Sequence, residues 1–219
     1  MIPTSVEKYV YYREKDIVLL LGNCLEILPM LEPDSVDLVL TDPPYGIEKE
    51  YLSYNDSKEN LVKLIDVFVP LCVSCAKATL LTPGVVNITR YPEPYWTLCW
   101  TYRTTNSTGK WGFSMWQPIL AYGQDPYLKN GKGRQKDVID STEVLDNSID
   151  HPCPKPIETW KRILKRGSVF EGDLILDPFL GSGTTAVAAK QLGRKCIGIE
   201  LESKYLDIAI ERLRQEILV

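Results

Sequence analysis

The chain has 219 residues, which fits one domain, and 44% of them are hydrophobic, enough for a sizeable core. Its net charge is −4, so nothing attracts the whole molecule to nucleic acid, and a polyanionic partner would need a local basic patch. No run of about 18 uncharged apolar residues occurs, and the first residues are charged and aromatic, so we expect neither a membrane span nor a signal peptide.

Six cysteines are scattered through apolar segments, as expected for reduced thiols in a cytoplasmic protein. Cys72 and Cys75 form one CxxC pair. No second pair accompanies it, and His151 is the sole histidine of the sequence. We therefore expect no metal site.

The first part of the chain alternates apolar strands with helical patterns. Strands are predicted at Ile17–Leu21 and Val36–Thr41, separated by a short helix that begins after Gly22 and Asn23. A helical pattern covers roughly residues 58–76, where Pro70 predicts a kink or a break. Strand material at residues 78–89 is interrupted by Pro83-Gly84.

The middle of the chain is harder to assign. Strands are predicted at residues 97–102 and 118–122. Residues 123–150 are polar and rich in Gly, Lys and Asp, which indicates a loop.

The last part returns to a regular alternation. An amphipathic helix at residues 157–164 precedes a strand at residues 174–176, which ends in Asp177. A glycine turn then leads into a helix, and a strand at residues 195–199 ends in Glu200 before a final helix at residues 204–215. Strands that alternate with helices predict an α/β fold with a mostly parallel sheet and helices on both faces.

Polar side chains follow four of these strands, namely Asn23, Asp42, Asp177 and Glu200. Ligands bind at the carboxyl ends of the strands in such sheets, so these side chains are candidate site residues. The turn Gly181-Ser182-Gly183 lets the backbone pass close to a ligand and offers free N–H groups at the helix start.

Glu200 lies about 20 residues after that turn, where nucleotide-binding folds place the acid that contacts the ribose. The spacing from Gly181 also fits the dinucleotide pattern G-x-G-x-x-A. Two features argue against a dehydrogenase. Asp177 would repel a pyrophosphate and would suit an amine-bearing cofactor. A dinucleotide fold would also require a second half after Glu200, whereas a single helix follows it. A glycine turn that only packs is the remaining alternative.

Two motifs together resemble the amino-methylating DNA methyltransferases: Asp-Pro-Pro-Tyr at residues 42–45 and DPFLGSGTT at residues 177–185. HPCPKPIE at 151–158, Gly22-Asn23 followed by CLEIL, and FSMWQPILAYG at 113–123 extend the resemblance to most of the chain. The catalytic motif precedes the cofactor motif, as in the class called beta. Asn23 departs from the family pattern, which usually has Asp there.

The resemblance implies a circularly permuted Rossmann-like S-adenosylmethionine-dependent methyltransferase fold. One domain, residues 1–219, would contain a catalytic half at 1–122, a short recognition-like loop at 123–150 and a cofactor-binding half at 151–219. S-adenosylmethionine is the implied cofactor. The residues expected to bind it are Asn23, Lys155, Asp177, Phe179, Gly181, Ser182, Gly183, Thr184, Thr185 and Glu200.

The catalytic residues implied are Asp42, Pro43, Pro44 and Tyr45. An exocyclic amine is a poor nucleophile because its lone pair is conjugated with the ring. The Asp42 carboxylate and the Pro43 carbonyl would accept its hydrogens, the prolines would fix the backbone, and Tyr45 would offer a ring face to the base. The target base must be flipped out of the duplex, and the methyl group moves in one in-line displacement.

An acid at the first motif position is commoner in adenine-N6 enzymes of this family, and serine in cytosine-N4 enzymes, so Asp42 favours adenine. DNA is the expected partner, and a homodimer is left open. A cytosine-N4 DNA methyltransferase, an RNA methyltransferase and an inactive partner subunit are the alternatives.

The segment 129–136, KNGKGRQK, carries four basic side chains that could contact phosphates or simply face solvent. These are Lys129, Lys132, Arg134 and Lys136. At most one of the tryptophans at 96, 100, 111 and 116 is expected to contact the base, because most aromatic side chains belong to the core.

Overall fold

A nine-stranded sheet lies at the centre of the computed structural model, which describes residues 2–48, 54–103, 108–141 and 155–215. The strands in the described residues are β1 (Val10–Glu14), β2 (Ile17–Leu21), β3 (Val36–Thr41), β4 (Ala76–Leu81), β5 (Trp96–Tyr102), β6 (Thr108–Gly109), β7 (Gly112–Phe113), β8 (Trp116–Gly123), β9 (Val138–Ser141), β10 (Leu174–Asp177) and β11 (Lys195–Glu200). The helices are α1 (Cys24–Ile27), α2 (Lys58–Cys75), α3 (Pro126–Lys129), α4 (Ile157–Gly167), α5 (Thr184–Gln191) and α6 (Ser203–Gln215). Three 3-10 turns cover Thr4–Tyr9, Leu28–Met30 and Val85–Arg90.

The strand order in the sheet is β1-β2-β11-β10-β3-β4-β8-β5-β9. The five neighbours from β2 to β4 are all parallel, while β1 and β8 run antiparallel to the strands beside them. Late strands β10 and β11 lie between early strands β2 and β3, which is the circularly permuted arrangement. The predicted mostly parallel α/β fold is confirmed.

Helices cover both faces of this sheet. On one face, α2 packs Leu61, Ile65 and Phe68 against apolar side chains of β2 and β3. On the other, α4, α5 and α6 form a second core around Trp160 and Leu206. Successive side chains of a strand point to opposite faces, so the one sheet contributes apolar side chains to both cores.

Helix α2 continues through Pro70, so the predicted break does not occur. A proline inside a helix costs roughly 3 kcal/mol or more. Here Pro70 lies on the exposed side, and buried residues flank it, with Phe68 and Val69 before it and Cys72 after it. Burial of that apolar face on both sides of the proline offsets the cost.

The structure differs from the sequence-based expectation in three places. β1 had not been predicted, because its burial alternates between intermediate and exposed and it carries charged residues. Strand β4 ends at Leu81, and residues 85–90 form a 3-10 turn. The segment 123–150 contains α3 and β9, while its residues 142–150, like 151–154 of the HPCPKP segment, lie outside the described residues.

Candidate active site

A cavity of about 330 Å³ opens at the carboxyl ends of β2, β3, β10 and β11. It brings together most of the residues predicted from the two motifs. The predicted residues that line it are Asn23, Asp42, Pro44, Lys155, Asp177, Phe179, Gly181, Ser182, Thr184, Thr185 and Glu200. Pro43, Tyr45 and Gly183 are not among the lining residues, although all three lie in the same two turns.

Asp42 directly follows β3, and its carboxylate is held from both sides. Oδ1 accepts a hydrogen bond from the Tyr45 hydroxyl at 2.5 Å and another from the Thr82 hydroxyl. Oδ2 forms an ion pair with Lys155 Nζ at 2.8 Å, and only 9% of the Lys155 side chain is exposed. Thr82 follows β4, and its N–H donates to the carbonyl of Thr41, so two adjacent strand ends fix this carboxylate.

The Tyr45 hydroxyl connects Asp42 to the far strands of the sheet. Besides donating to Asp42, it accepts from Gln117 Nε2 at 2.5 Å and from Lys155 Nζ at 3.2 Å. The Tyr102 hydroxyl in turn donates to Gln117 Oε1 at 2.8 Å. Strands β5 and β8 thereby orient Tyr45 within the Asp42–Tyr45 turn.

The backbone of that turn is held by two further side chains. The Asp56 carboxylate is buried and accepts from the N–H groups of Gly46 at 2.7 Å and Ile47 at 3.1 Å. Asn87 Nδ2 donates to the carbonyl of Tyr45 at 2.8 Å. These hydrogen bonds fix the backbone immediately after the two prolines, from Tyr45 to Ile47.

Asp177 connects the glycine turn to β3. Its Oδ1 accepts from the Thr41 hydroxyl at 2.7 Å and the Phe179 N–H at 3.0 Å, and its Oδ2 accepts from the Thr185 hydroxyl at 2.5 Å. Burial raises the pKa of Asp177 to about 6, although the hydroxyls of Thr185 and Thr41 counteract the shift. This carboxyl is therefore ionised at neutral pH while being desolvated.

Glu200 closes the glycine turn from the next strand. Oε2 accepts from the Gly181 N–H at 2.8 Å, and Oε1 accepts from the N–H groups of Leu201 and Glu202. Burial raises the pKa of Glu200, and these backbone N–H groups act in the opposite direction. A carboxylate has about four lone-pair sites, so these three bonds leave acceptor capacity toward the cavity.

Asn23 and Gly183 have structural roles that the sequence did not reveal. Asn23 is the N-cap of α1, and its Oδ1 accepts from the Leu25 N–H at 3.0 Å, so the amide nitrogen is the end left for a ligand. Gly183 adopts φ +84°, and a Cβ there would lie 2.5 Å from the Cβ of Ala209 on α6. The glycine is thus required for packing between α5 and α6.

The basic segment 129–136 does not join the cavity. Lys132 Nζ lies 5.8 Å from the ring centroid of Phe170, and the carbonyl of Lys136 accepts from Arg166 Nε. Both contacts are at the end of α4 away from Lys155, about 16 Å along an 11-residue helix. All four basic side chains are exposed on this flank of the sheet.

Sequence reasoning missed Thr82, Gln117 and Asp56. The rule that located Asp42, a polar residue at the end of a buried strand, would also have located Thr82. Gln117 offered a weaker signal as the one polar side chain in an apolar run. Asp56 lies in a polar loop, and nothing in the sequence distinguishes it from a solvated acid.

Among the described residues, no cluster of three His, Cys, Asp or Glu side chains is arranged to hold a metal ion. No described helix is both long and apolar enough to span a bilayer.

The sequence matches a known family over more than half of its length. The DNA methylase family of N6- and N4-type methyltransferases matches residues 86–211. Type II methyltransferase M.ScaI of Streptomyces caespitosus is 30% identical over 257 residues, covering 94% of this chain and 84% of the relative. DNA adenine methyltransferase YhdJ of Escherichia coli K12 is 30% identical over 241 residues, covering 88% and 81%.

Solved structures share the fold. PvuII DNA methyltransferase, described as cytosine-N4-specific, gives a TM-score of 0.70 at 16% identity and covers 93% of this chain and 88% of its own. M1.HpyAVI in its complex with SAM gives a TM-score of 0.64 at 22% identity, with coverages of 90% and 98%. The catalytic motif ahead of the cofactor motif, the permuted sheet and the family match agree, and the chain belongs to the beta-class amino DNA methyltransferases of the N6/N4 DNA methylase family.

Proposed function

We propose that the protein transfers a methyl group from S-adenosylmethionine to the exocyclic N6 of adenine in DNA. One observation carries the proposal: the Asp42–Pro44 turn and the Gly181–Thr185 turn line a single cavity. A methyl donor seated on one turn and an amine presented to the other would therefore meet within it. The type II names of relatives such as M.ScaI support a place in a restriction-modification system.

The residues of the glycine turn suit S-adenosylmethionine. The Glu200 carboxylate keeps acceptor capacity for ribose hydroxyls beyond its bonds to the backbone N–H groups, and Phe179 adds apolar surface at the cavity wall. The Asp177 carboxylate supplies negative charge beside a cofactor that carries an amine and a sulfonium. When bound, the cofactor supplies the methyl group as an electrophile. Asn23, Lys155, Ser182, Thr184 and Thr185 complete the proposed binding set.

The Asp42–Tyr45 turn, which we call the catalytic turn, supplies the hydrogen-bond acceptors for the target amine. Asp42 and the carbonyl of Pro43 would accept hydrogen bonds from the two N–H groups of the amine, which directs its lone pair toward the methyl group. One of these protons leaves the nitrogen after the displacement. Preorganised acceptors of this kind need little rearrangement during the reaction. Tyr45 has two tasks in this proposal: its hydroxyl orients Asp42 at 2.5 Å, and its ring stacks on the flipped base.

Cytosine N4 is the second candidate target. Both amines fit between a carboxylate and a proline carbonyl, and a neighbour in fold, PvuII DNA methyltransferase, is described as cytosine-N4-specific. Asp42 at the first motif position and the adenine-methylating relative YhdJ favour adenine.

Methyl transfer to three substrates tests the proposal. The protein is incubated with isotope-labelled S-adenosylmethionine and duplex DNA, single-stranded DNA or RNA, and the products are hydrolysed to nucleosides for mass spectrometry. We expect labelled N6-methyladenine from DNA. N4-methylcytosine alone would move the target to cytosine, a label confined to RNA would change the substrate class, and no label with intact cofactor binding would indicate an inactive partner subunit.

A further inference from the structure

The start of β8 projects beyond the edge of the sheet at which the cavity opens, here called the catalytic edge. The last pair between β4 and β8 is Leu81 with Leu120, yet β8 begins at Trp116. Residues 116–119 therefore extend about 13 Å beyond the end of β4 and pair only with β5. Gln117 lies in this extension and donates to the Tyr45 hydroxyl, so the extension is attached directly to the catalytic turn.

A two-stranded hairpin ends this extension. Strands β6 and β7 pair Thr108 with Phe113 and Gly109 with Gly112, which leaves Lys110 and Trp111 as the two turn residues. Trp111 is fully exposed and Phe113 is 71% exposed. A hairpin of this size has no core of its own and gains stability only from a partner. Trp111 at its tip and Phe113 at its base are aromatic surface that a partner would bury.

The charges along this segment of the chain favour one kind of partner, although the neighbouring strand β9 places Asp140 beside Thr101. No Asp or Glu occurs between Glu93 and Asp125, although the chain as a whole has net charge −4. Arg103, at the end of β5, and Lys110, beside Trp111, are both exposed. A symmetric contact with a second copy of the chain would bring like cations together. Nucleic acid fits both features, because its phosphates attract the cations and its bases stack on aromatic side chains.

We propose that the hairpin Thr108–Phe113 enters duplex DNA beside the catalytic turn and that Trp111 stacks in the space left by the extruded base. This inference rests on the proposed function. A flipped base leaves two neighbours unstacked, and an aromatic side chain between them restores that stacking. The extension that carries Gln117 to Tyr45 fixes the hairpin relative to the pocket that receives the base.

The test compares duplex with single strands, because only a duplex requires a base to be extracted from a stack. Unmethylated amplified DNA is used as a duplex and, from the same sample, as heat-denatured strands. Trp111→Ala should lower methyl transfer to the duplex by about tenfold or more, the size expected for one lost base–aromatic stack, while the single-strand rate stays near that of the unaltered protein. Trp111→Phe should restore most of the duplex rate.

Tyr95→Ala is the matched control, since Tyr95 is 76% exposed and lies just before β5, at its other end from the hairpin. It should leave the duplex-to-single-strand ratio unchanged. Equal losses on both substrates, or no loss with Trp111→Ala, would overturn the inference. So would an unaltered protein that is dimeric by size-exclusion chromatography and becomes monomeric with Trp111→Ala. If the unaltered protein methylates neither form of DNA, the proposed function fails instead.

Discussion

Both carboxylate oxygens of Asp42 have protein partners. Oδ1 accepts from two hydroxyls, and Oδ2 is paired with Lys155 Nζ at 2.8 Å. A target amine that donates to Asp42 must therefore compete with Lys155 for Oδ2. The Lys155 ammonium also has the Tyr45 hydroxyl within 3.2 Å, so it can keep one hydrogen bond when it yields the carboxylate.

Asp42→Asn should abolish most methyl transfer while leaving cofactor affinity largely intact. The amide keeps the side-chain shape, but it presents a donor where an acceptor is required. We expect turnover to fall by about 10²–10³-fold, the range for removal of one preorganised electrostatic contact in a catalytic site. Single-turnover kinetics and calorimetry with S-adenosylmethionine measure the two effects.

Asp66→Asn, on the exposed side of α2, is the control for loss of one negative charge. Near-normal turnover of a folded Asp42→Asn protein would remove Asp42 from the proposed mechanism.

Cofactor binding should weaken as the pH falls through about 6. Burial raises the pKa of Asp177 to about 6, so the carboxylate is ionised at pH 8 and largely protonated at pH 5. Protonation removes its attraction for the amine and sulfonium of S-adenosylmethionine. For folding, the same raised pKa gives a stabilising contribution that is complete below the ordinary value of 3.8 and is lost as the pH rises through 6.

Calorimetric titrations between pH 5 and 8 measure this dependence. Burial also raises the pKa of Glu200, so the titration is repeated with Glu200→Gln, where the remaining pH dependence belongs to Asp177. Adding Asp177→Asn to the Glu200→Gln protein should leave weak binding with little change across the range. An affinity of the unaltered protein that does not vary with pH would contradict the assignment.

At the scale of elements, the glycine turn packs against α6 in addition to its proposed role in cofactor binding. Gly183→Ala would place a Cβ 2.5 Å from that of Ala209 at φ +84°. We expect a destabilisation of about 1–3 kcal/mol from overpacking and backbone strain together, visible as a lower Tm. Gly131→Ala is a close control, because Gly131 has φ +65° with no atom within 4 Å of the added Cβ.

Gly131→Ala should therefore show the strain alone. If both variants lose the same stability, the contact between α5 and α6 has no measurable effect.

The buried parallel strands could be predicted because each is a short apolar run. Ile17–Leu21 and Val36–Thr41 have the bounds expected from their residues. β1 and β9 lie at the two edges of the sheet, where one side is open and the sequence need not be apolar. Their pairing depends on neighbours that are distant in the chain, which a local pattern does not contain.

The same limit applies to the site. Residues at strand ends could be placed together from topology alone, which is why Asp42, Asp177 and Glu200 were found. Gln117 contacts Tyr45 across 72 positions, and Thr82 contacts Asp42 across 40. The Thr82 pair depends on the register of β3 with β4, and the Gln117 pair depends also on that of β4 with β8; the separate segments specify neither register.

At the scale of the whole molecule, two cationic surfaces are separated. Arg103 and Lys110 lie in the β5–β8 connection above the catalytic edge, whereas segment 129–136 lies along the flank, near the far end of α4. A duplex seated over the cavity would reach the first surface with its target site. It would reach the second only with phosphates outside that site.

Neutralising Lys129, Lys132, Arg134 and Lys136 to Gln should consequently reduce DNA affinity without changing the methyl-transfer rate at saturating DNA. Each lost phosphate contact should reduce the slope of log K against log salt by about 0.9. The slope is obtained by measuring the affinity for a long duplex at several salt concentrations between about 50 and 200 mM. A control carries the same change of charge elsewhere, at the exposed residues Lys8, Lys15, Lys63 and Lys195. Equal slopes for both variants would show that segment 129–136 is a solvated surface, and a fall in rate at saturating DNA would mean that the segment acts on the catalytic turn.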